Sequence, residues 1–230
     1  MFFSATFFTS TFLTTVATLF AISFSPAQAL AQRAIDPLSQ GPLAFTDEQA
    51  AETRVSYTDG LIYTDQQCYL KPEDIKATEI DLAKLPANIC RKRTQEIVYS
   101  PSFAGVVGCL NEAPQFAMKV SIGTHGLGKT REGNRKSPVG TYWLGYPRKS
   151  LQFGIFIPVG YPNMANISKG YTGSAIGLHG PMRFMTCLPQ KSLEKNWTAG
   201  CLAVGRDSQI IEVSEWILNN WPAKLTILAK

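Results

Sequence analysis

The chain has 230 residues, a formal net charge of +5 and 5 cysteines. Its charge is uneven: residues 33–93 carry 8 basic and 10 acidic side chains, residues 94–230 carry 14 and 7. A mildly basic C-terminal part suits a partner bearing carboxylates or phosphates, while the lack of a dense Arg/Lys run with interleaved aromatics argues against nucleic acid.

Residues 1–31 read as a signal peptide. The segment holds no charged residue, has a long apolar stretch, and ends in the small-x-small patterns Ala27-Gln28-Ala29 and Ala29-Leu30-Ala31. A membrane anchor competes with this reading, but Ser, Thr and Pro26 interrupt the run, and no later stretch is long and apolar enough to span. The expectation is export, to the periplasm, with no stable membrane span after processing. Residues 32–93 form an N-terminal extension: an extended arm to about Tyr57, then a helix opened by Pro72-Glu73-Asp74. That helix has an apolar face at Ile75, Ile80, Leu82 and Leu85 and is ended by Pro86.

From Thr94 the pattern turns to β. Glu96–Ser100, Gly105–Val107, Phe116–Ile122, Gly140–Leu144 and Phe153–Ile157 are short, β-branched or aromatic, and bounded by turn residues. Asp207 is placed to cap a late helix running to about Asn220, with Ile210, Val213, Trp216 and Ile217 on one face, and Leu225–Leu228 reads as a closing strand. The fold class expected is mainly β with one late helix.

Five cysteines in an oxidising compartment leave one thiol over. The pairing expected is Cys68 with Cys90 and Cys109 with Cys187, leaving Cys201 free. The stretch from Gly180 to Thr198 is expected to form a lid, tied down through Cys187. There are only 2 histidines, and no CxxC or HxxxH pair, so neither a structural zinc site nor metal catalysis is expected. His179 stands in Gly177-Leu178-His179-Gly180, and 22 residues later comes Trp197-Thr198-Ala199-Gly200-Cys201-Leu202-Ala203-Val204. A cysteine after glycine, with strand-like residues beyond, has open backbone N–H groups beside its sulfur, as an oxyanion site requires. A histidine in reach can take the thiol proton and make the thiolate nucleophile. Alone, each residue is more often structural.

The pair with its flanks resembles the catalytic domain of the L,D-transpeptidases, where a His-Gly at a strand end is followed at similar spacing by a Gly-Cys. Upstream, Lys136-Ser137-Pro138-Val139-Gly140-Thr141-Tyr142 and Gly160-Tyr161-Pro162-Asn163 resemble two further segments of the family, in the family's order. The resemblance implies an L,D-transpeptidase-like β-sandwich catalytic domain over 94–230, behind a short α/irregular segment. Cys201 would attack an amide in a peptidoglycan stem peptide and form a thioester. A second stem peptide or a lipoprotein amine would accept the acyl group.

In the same resemblance His179 is the base and the Gly180 carbonyl orients its ring. The N–H of Cys201, with that of Gly200 or Ala199, holds the oxyanion. Tyr161, Arg183, Trp197 and Arg206 are the substrate-contact candidates; for Arg183 and Trp197, packing or solvation competes equally. No cofactor is implied. The chain departs from the common family pattern at Ala199 and Ala203, where many members have His and Arg. Its T-x-G-C-[LI]-A-V stretch resembles a branch that includes a peptidoglycan hydrolase, so water competes with an amine as acceptor. A catalytically silent wall-binding module and a papain-like peptidase also compete with the transpeptidase reading, and the His-before-Cys order argues against the peptidase. His125 is read as a loop residue, and the basic run Lys129–Lys136 as a solvated hairpin tip, with a contact to a substrate carboxylate as the alternative.

Overall fold

The computed structural model describes residues 62–230; the expected signal peptide and extended arm lie outside the described residues. Nine strands form one sheet: β1 Gln95–Ser100, β2 Gly105–Leu110, β3 Ala113–Ser121, β4 Gly140–Trp143, β5 Arg148–Ser150, β6 Gly154–Pro158, β7 Gly177–His179, β8 Leu202–Val204 and β9 Lys224–Ile227. Four short helices interrupt them: α1 Pro72–Thr78, α2 Met164–Ile167, α3 Pro189–Leu193 and α4 Asp207–Asn219. The strand order is β4-β9-β1-β2-β3-β8-β7-β6-β5. β1–β2–β3 is an antiparallel meander, while β9 joins β1 and β8 joins β7 in parallel. An antiparallel bridge between Leu144 and Val159 joins the end of β4 to the end of β6, with Gly145 N–H donating to Pro158 O at 2.8 Å. The sheet thereby curls until strands near its two edges meet.

The early strands are near-continuous apolar runs because both faces of the sheet are covered. Side chains alternate across a strand. Ile97, Tyr99, Val106, Phe116 and Met118 enter the main core, whereas Val98, Val107, Cys109 and Ala117 enter a second, smaller one. Helix α4 fills the main core with Ile210, Val213 and Ile217, all fully buried, and Trp216 meets Phe116 edge-on at 5.8 Å. The second core is roofed by Ile80, Leu85 and Ile89 of the N-terminal segment. The apolar face expected there exists, but not as one helix. α1 stops at Thr78, Glu79 bridges to Met118 of β3, and Leu82–Lys84 forms a 3₁₀ turn. Pairing with a strand satisfies the Ile80 N–H through Ala117 O at 3.2 Å, which outweighs another turn of an isolated short helix.

Two further expectations need correction. Asp207 is the first helical residue and Arg206 the cap; the Asp207 carboxylate accepts from Arg183 and from the Tyr63 N–H at 2.9 Å instead. The disulfides are Cys68–Cys187 and Cys90–Cys109, not Cys68–Cys90 and Cys109–Cys187. Cys90 lies just before β1, and Cys109 pairs in register with Glu96 of that strand, so the meander brings these two cysteines together in the second core. Cys68 instead lies near α1, which packs against α3 just after Cys187, and Gln190 donates to Asp74 at 2.8 Å across this contact. Cys201 is the free thiol among the described cysteines.

Candidate active site

Strand geometry puts His179 and Cys201 on one face. β7 and β8 are parallel, with Leu178 opposite Leu202 and His179 opposite Ala203. Two residues before Ala203, Cys201 falls beside Gly177, and the two-residue period turns Gly177, His179, Cys201 and Ala203 to the same side. Leu178 and Leu202 turn the other way, into the core, and are fully buried. Both His179 and Cys201 line one cavity of about 790 Å³, together with Phe153, Phe156, Trp197 and Ala199. Arg148, whose guanidinium lies 5.1 Å over the Phe156 ring, adds a cation to the wall.

His179 is held rigidly. Its ring stacks on Phe153 at 3.8 Å and 19°, with Trp197 at 5.7 Å. Nδ1 lies 2.7 Å from Gly180 O. A carbonyl can only accept, so Nδ1 carries the proton and Nε2 keeps the lone pair. Burial pushes the imidazole pKa down to about 4, against the pull of the Gly180 hydrogen bond. The ring is therefore neutral at pH 7. Gly177 makes the aromatic wall possible, since a Cβ there would sit 2.3 Å from the Phe156 ring.

Cys201 ends a tight turn. Gly200 has φ +136°, which favours glycine, and a Cβ on it would stand 2.7 Å from Lys136 O. Thr198 pins both sides of the turn: its hydroxyl accepts from Gly200 N–H at 3.1 Å and donates to Cys201 O at 2.7 Å. The sulfur lies 3.5 Å from Ala175 O. Burial pushes the thiol pKa up, opposed by the Gly177 backbone and by the charge of Lys129.

Of the substrate-contact candidates only Trp197 lines this cavity. Tyr161 is 1% exposed, with its hydroxyl donating to Lys129 O and Thr172 O, both at 3.3 Å. Arg183, at the start of the 3₁₀ turn Arg183–Met185, grips Asp207 through two nitrogens. Arg206 is buried and bonds Asp65, Thr78 and Glu79 of the N-terminal segment. Gly200 N–H is taken by Thr198, which leaves Ala199 and Cys201 as the amides of this turn to consider for an oxyanion.

Sequence reading missed Phe153, Thr198 and Lys129. A Thr two residues before Gly and three before Cys is a recognisable side-chain-to-backbone turn signal. The Phe153 stack carries no local signal. Lys129 is 5% exposed, so the basic run is not wholly a solvated tip.

Among the described residues, no helix is long and apolar enough to cross a membrane. No curated protein matches the chain. Solved structures resemble its fold at low identity. Pgp2, the helical cell shape determining protein of Campylobacter jejuni, is 22% identical over 57% of this chain and 46% of its own, with a TM-score of 0.47. Bd1075 of Bdellovibrio bacteriovorus is 20% identical over 66% and 52%, with a TM-score of 0.42. L,D-transpeptidase 3 of Mycobacterium tuberculosis, in complex with a faropenem-derived adduct, is 14% identical over 58% and 59%, at 0.38. The chain spans about half the length of the first of these structures. The model of the YkuD family, the L,D-transpeptidase catalytic domain, matches residues 101–224, more than half the chain. The chain belongs to that family.

Proposed function

We propose that this protein is an exported cysteine acyltransferase of the periplasm that remodels peptidoglycan stem peptides, with Cys201 as nucleophile and His179 as base. The observation that carries the reading is the fixed tautomer of His179. Nδ1–H is spent on Gly180 O at 2.7 Å, so Nε2 is the basic atom in the cavity that Cys201 shares.

With a depressed imidazole and a raised thiol, the resting pair is neutral, so the proton moves as substrate binds. Nε2 takes the thiol proton, and sulfur adds to the amide carbonyl at the L-centre of a diamino acid. The N–H groups of Cys201 and Ala199 receive the oxyanion. His179 then gives its proton to the departing nitrogen, the C–N bond breaks, and a thioester remains. An acceptor amine, from a second stem peptide or a lipoprotein, loses its proton to His179 and displaces the sulfur. Water in that place would make the enzyme a hydrolase. Aromatic walls and the Arg148 cation suit a peptide with free carboxylates.

The test is incubation of the purified protein with tetrapeptide muropeptides and mass spectrometry of the products, with Cys201→Ala alongside. Cross-linked dimers and released D-Ala that vanish in the variant are expected. Release of D-Ala without cross-links would move the protein to the hydrolases. No product here or from lipoprotein-linked muropeptides would sink the reading and favour a silent wall-binding module.

A further inference from the structure

Lys129 is a buried cation beside the site that the mechanism above does not use. Its backbone is fastened at several points. The N–H donates to Ser137 O at 3.1 Å, and its carbonyl accepts the Tyr161 hydroxyl. Next door, Thr172 N–H donates to Thr130 O at 3.1 Å, and Glu132 N–H donates to the Thr172 hydroxyl at 3.1 Å. These bonds lay the 129–132 loop along the 172–175 segment. The Lys129 side chain follows it: Cε would be 2.9 Å, and Nζ 3.5 Å, from a Cβ built on Gly173. Two residues further on, the Ala175 carbonyl lies 3.5 Å from Cys201 Sγ. The ammonium and the sulfur thus flank one three-residue stretch.

At 5% exposure, Lys129 makes no side-chain hydrogen bond or ion pair among the described residues. The groups whose charge it feels are Cys201 and Glu132. Around Cys201 the other titratable groups are His179 on β7 and, across the cavity, Arg148 and Lys149. A cation whose side chain is largely shielded from water, with no anion in contact among the described residues, is stabilised if an anion forms beside it during function.

We propose that Lys129 is a positioning residue that acts through Cys201, its ammonium standing as the built-in counter-charge for the thiolate formed when His179 removes the proton. The proton goes to His179 Nε2 and Lys129 keeps its own, so the lysine contributes charge and no proton. Burial raises the thiol and depresses the ammonium, and each of the two is drawn back towards its charged form by the other. The proposal rests on Cys201 being the nucleophile, but its test needs no peptidoglycan.

The experiment is alkylation of Cys201 by iodoacetamide across pH 5–10, read by mass spectrometry; the other four cysteines are in disulfides. Lys129→Met and Lys129→Gln should raise the midpoint by about one pH unit and slow labelling at pH 7 about tenfold. Lys129→Arg should keep most of the wild-type profile. A purely structural lysine would instead lower the melting temperature and leave the midpoint in place, which would overturn the proposal. A second measurement covers the case in which the neutral variants do not fold. By reciprocity, Lys129 should lose its proton at lower pH in Cys201→Ala than in the wild type, followed by NMR of the lysine side chain. Identical lysine titrations in the two proteins would overturn the proposal. A shifted thiol midpoint in a protein inert towards muropeptides would sustain this inference while the acyltransferase reading fell.

Discussion

His179 is 1% exposed, stacked on Phe153 and bonded to the next residue's carbonyl, whereas Cys201 stands partly open on a turn pinned by a single threonine. The two face the same cavity from adjacent parallel strands. Their surroundings differ because their tasks would differ. A base must present one nitrogen in one direction, so ring stacking and a carbonyl fix it. A nucleophile must meet a bulky substrate and later release it, so its sulfur needs access. The difference also divides the electrostatics. Burial disfavours charge on both groups; at the histidine the Gly180 hydrogen bond works against it, at the cysteine the Gly177 backbone and the charge of Lys129.

Breaking the rigid side should cost most. His179→Ala should lower turnover by roughly 10²–10⁴, measured as the rate of D-Ala release from tetrapeptide muropeptides. A variant that turned over like the wild type would remove histidine from the mechanism. Loosening the turn should cost less. Thr198→Val keeps the shape but loses the hydroxyl that bonds Gly200 N–H and Cys201 O. About a tenfold loss of turnover is expected, with Thr198→Ser restoring most of it. Equal rates in the valine and serine variants would show that the hydrogen bonds do not matter.

The smallest effect concerns stability and pH. His179 titrates near 4 in the fold and near 6.5 once unfolded, so between these values the unfolded chain binds the extra proton. The contribution is complete above pH 6.5 and is lost as pH falls towards 4, by on the order of 3 kcal/mol. Urea unfolding at pH 7 and pH 4.5 should therefore show a smaller acid loss in His179→Gln than in the wild type. Taking the difference between the proteins cancels the carboxylates that both share. Equal acid losses would mean that His179 is not buried as a neutral ring.

Much of the fold is legible in the sequence, for particular reasons. Strands β1, β2, β3, β4, β6 and β9 are marked by β-branched and aromatic runs between turn residues. His179 and Cys201 are marked by their flanks, and the family match covers both. What escapes is set by long-range geometry. The pairing of Cys68 with Cys187 depends on α1 meeting α3, more than 100 residues apart in sequence. The stacking of Phe153 on His179 depends on β6 pairing with β7. Arg183 and Arg206 stand close to the motifs in sequence, yet the fold commits one to Asp207 and the other to Asp65 and Glu79. Lys129 looks like one of several surface cations, and only the return of the 172–175 segment buries it.

The position of β1 in the strand order bears on how such domains are cut out of genes. The stretch that carries the family likeness begins at residue 101, one residue after β1 ends. That strand is no ornament at the margin: it lies between β9 and β2, hydrogen-bonded to both. A fragment trimmed to the recognisable stretch would lack β1 and all but the first residue of β9, leaving β2 and β4 with bare backbone edges, which invite chain-to-chain association. It would also shed the roof of the second core and the acids that neutralise Arg206. Similarity here traces seven of the nine strands, while the unit able to stand alone in water is longer than the likeness that reveals it.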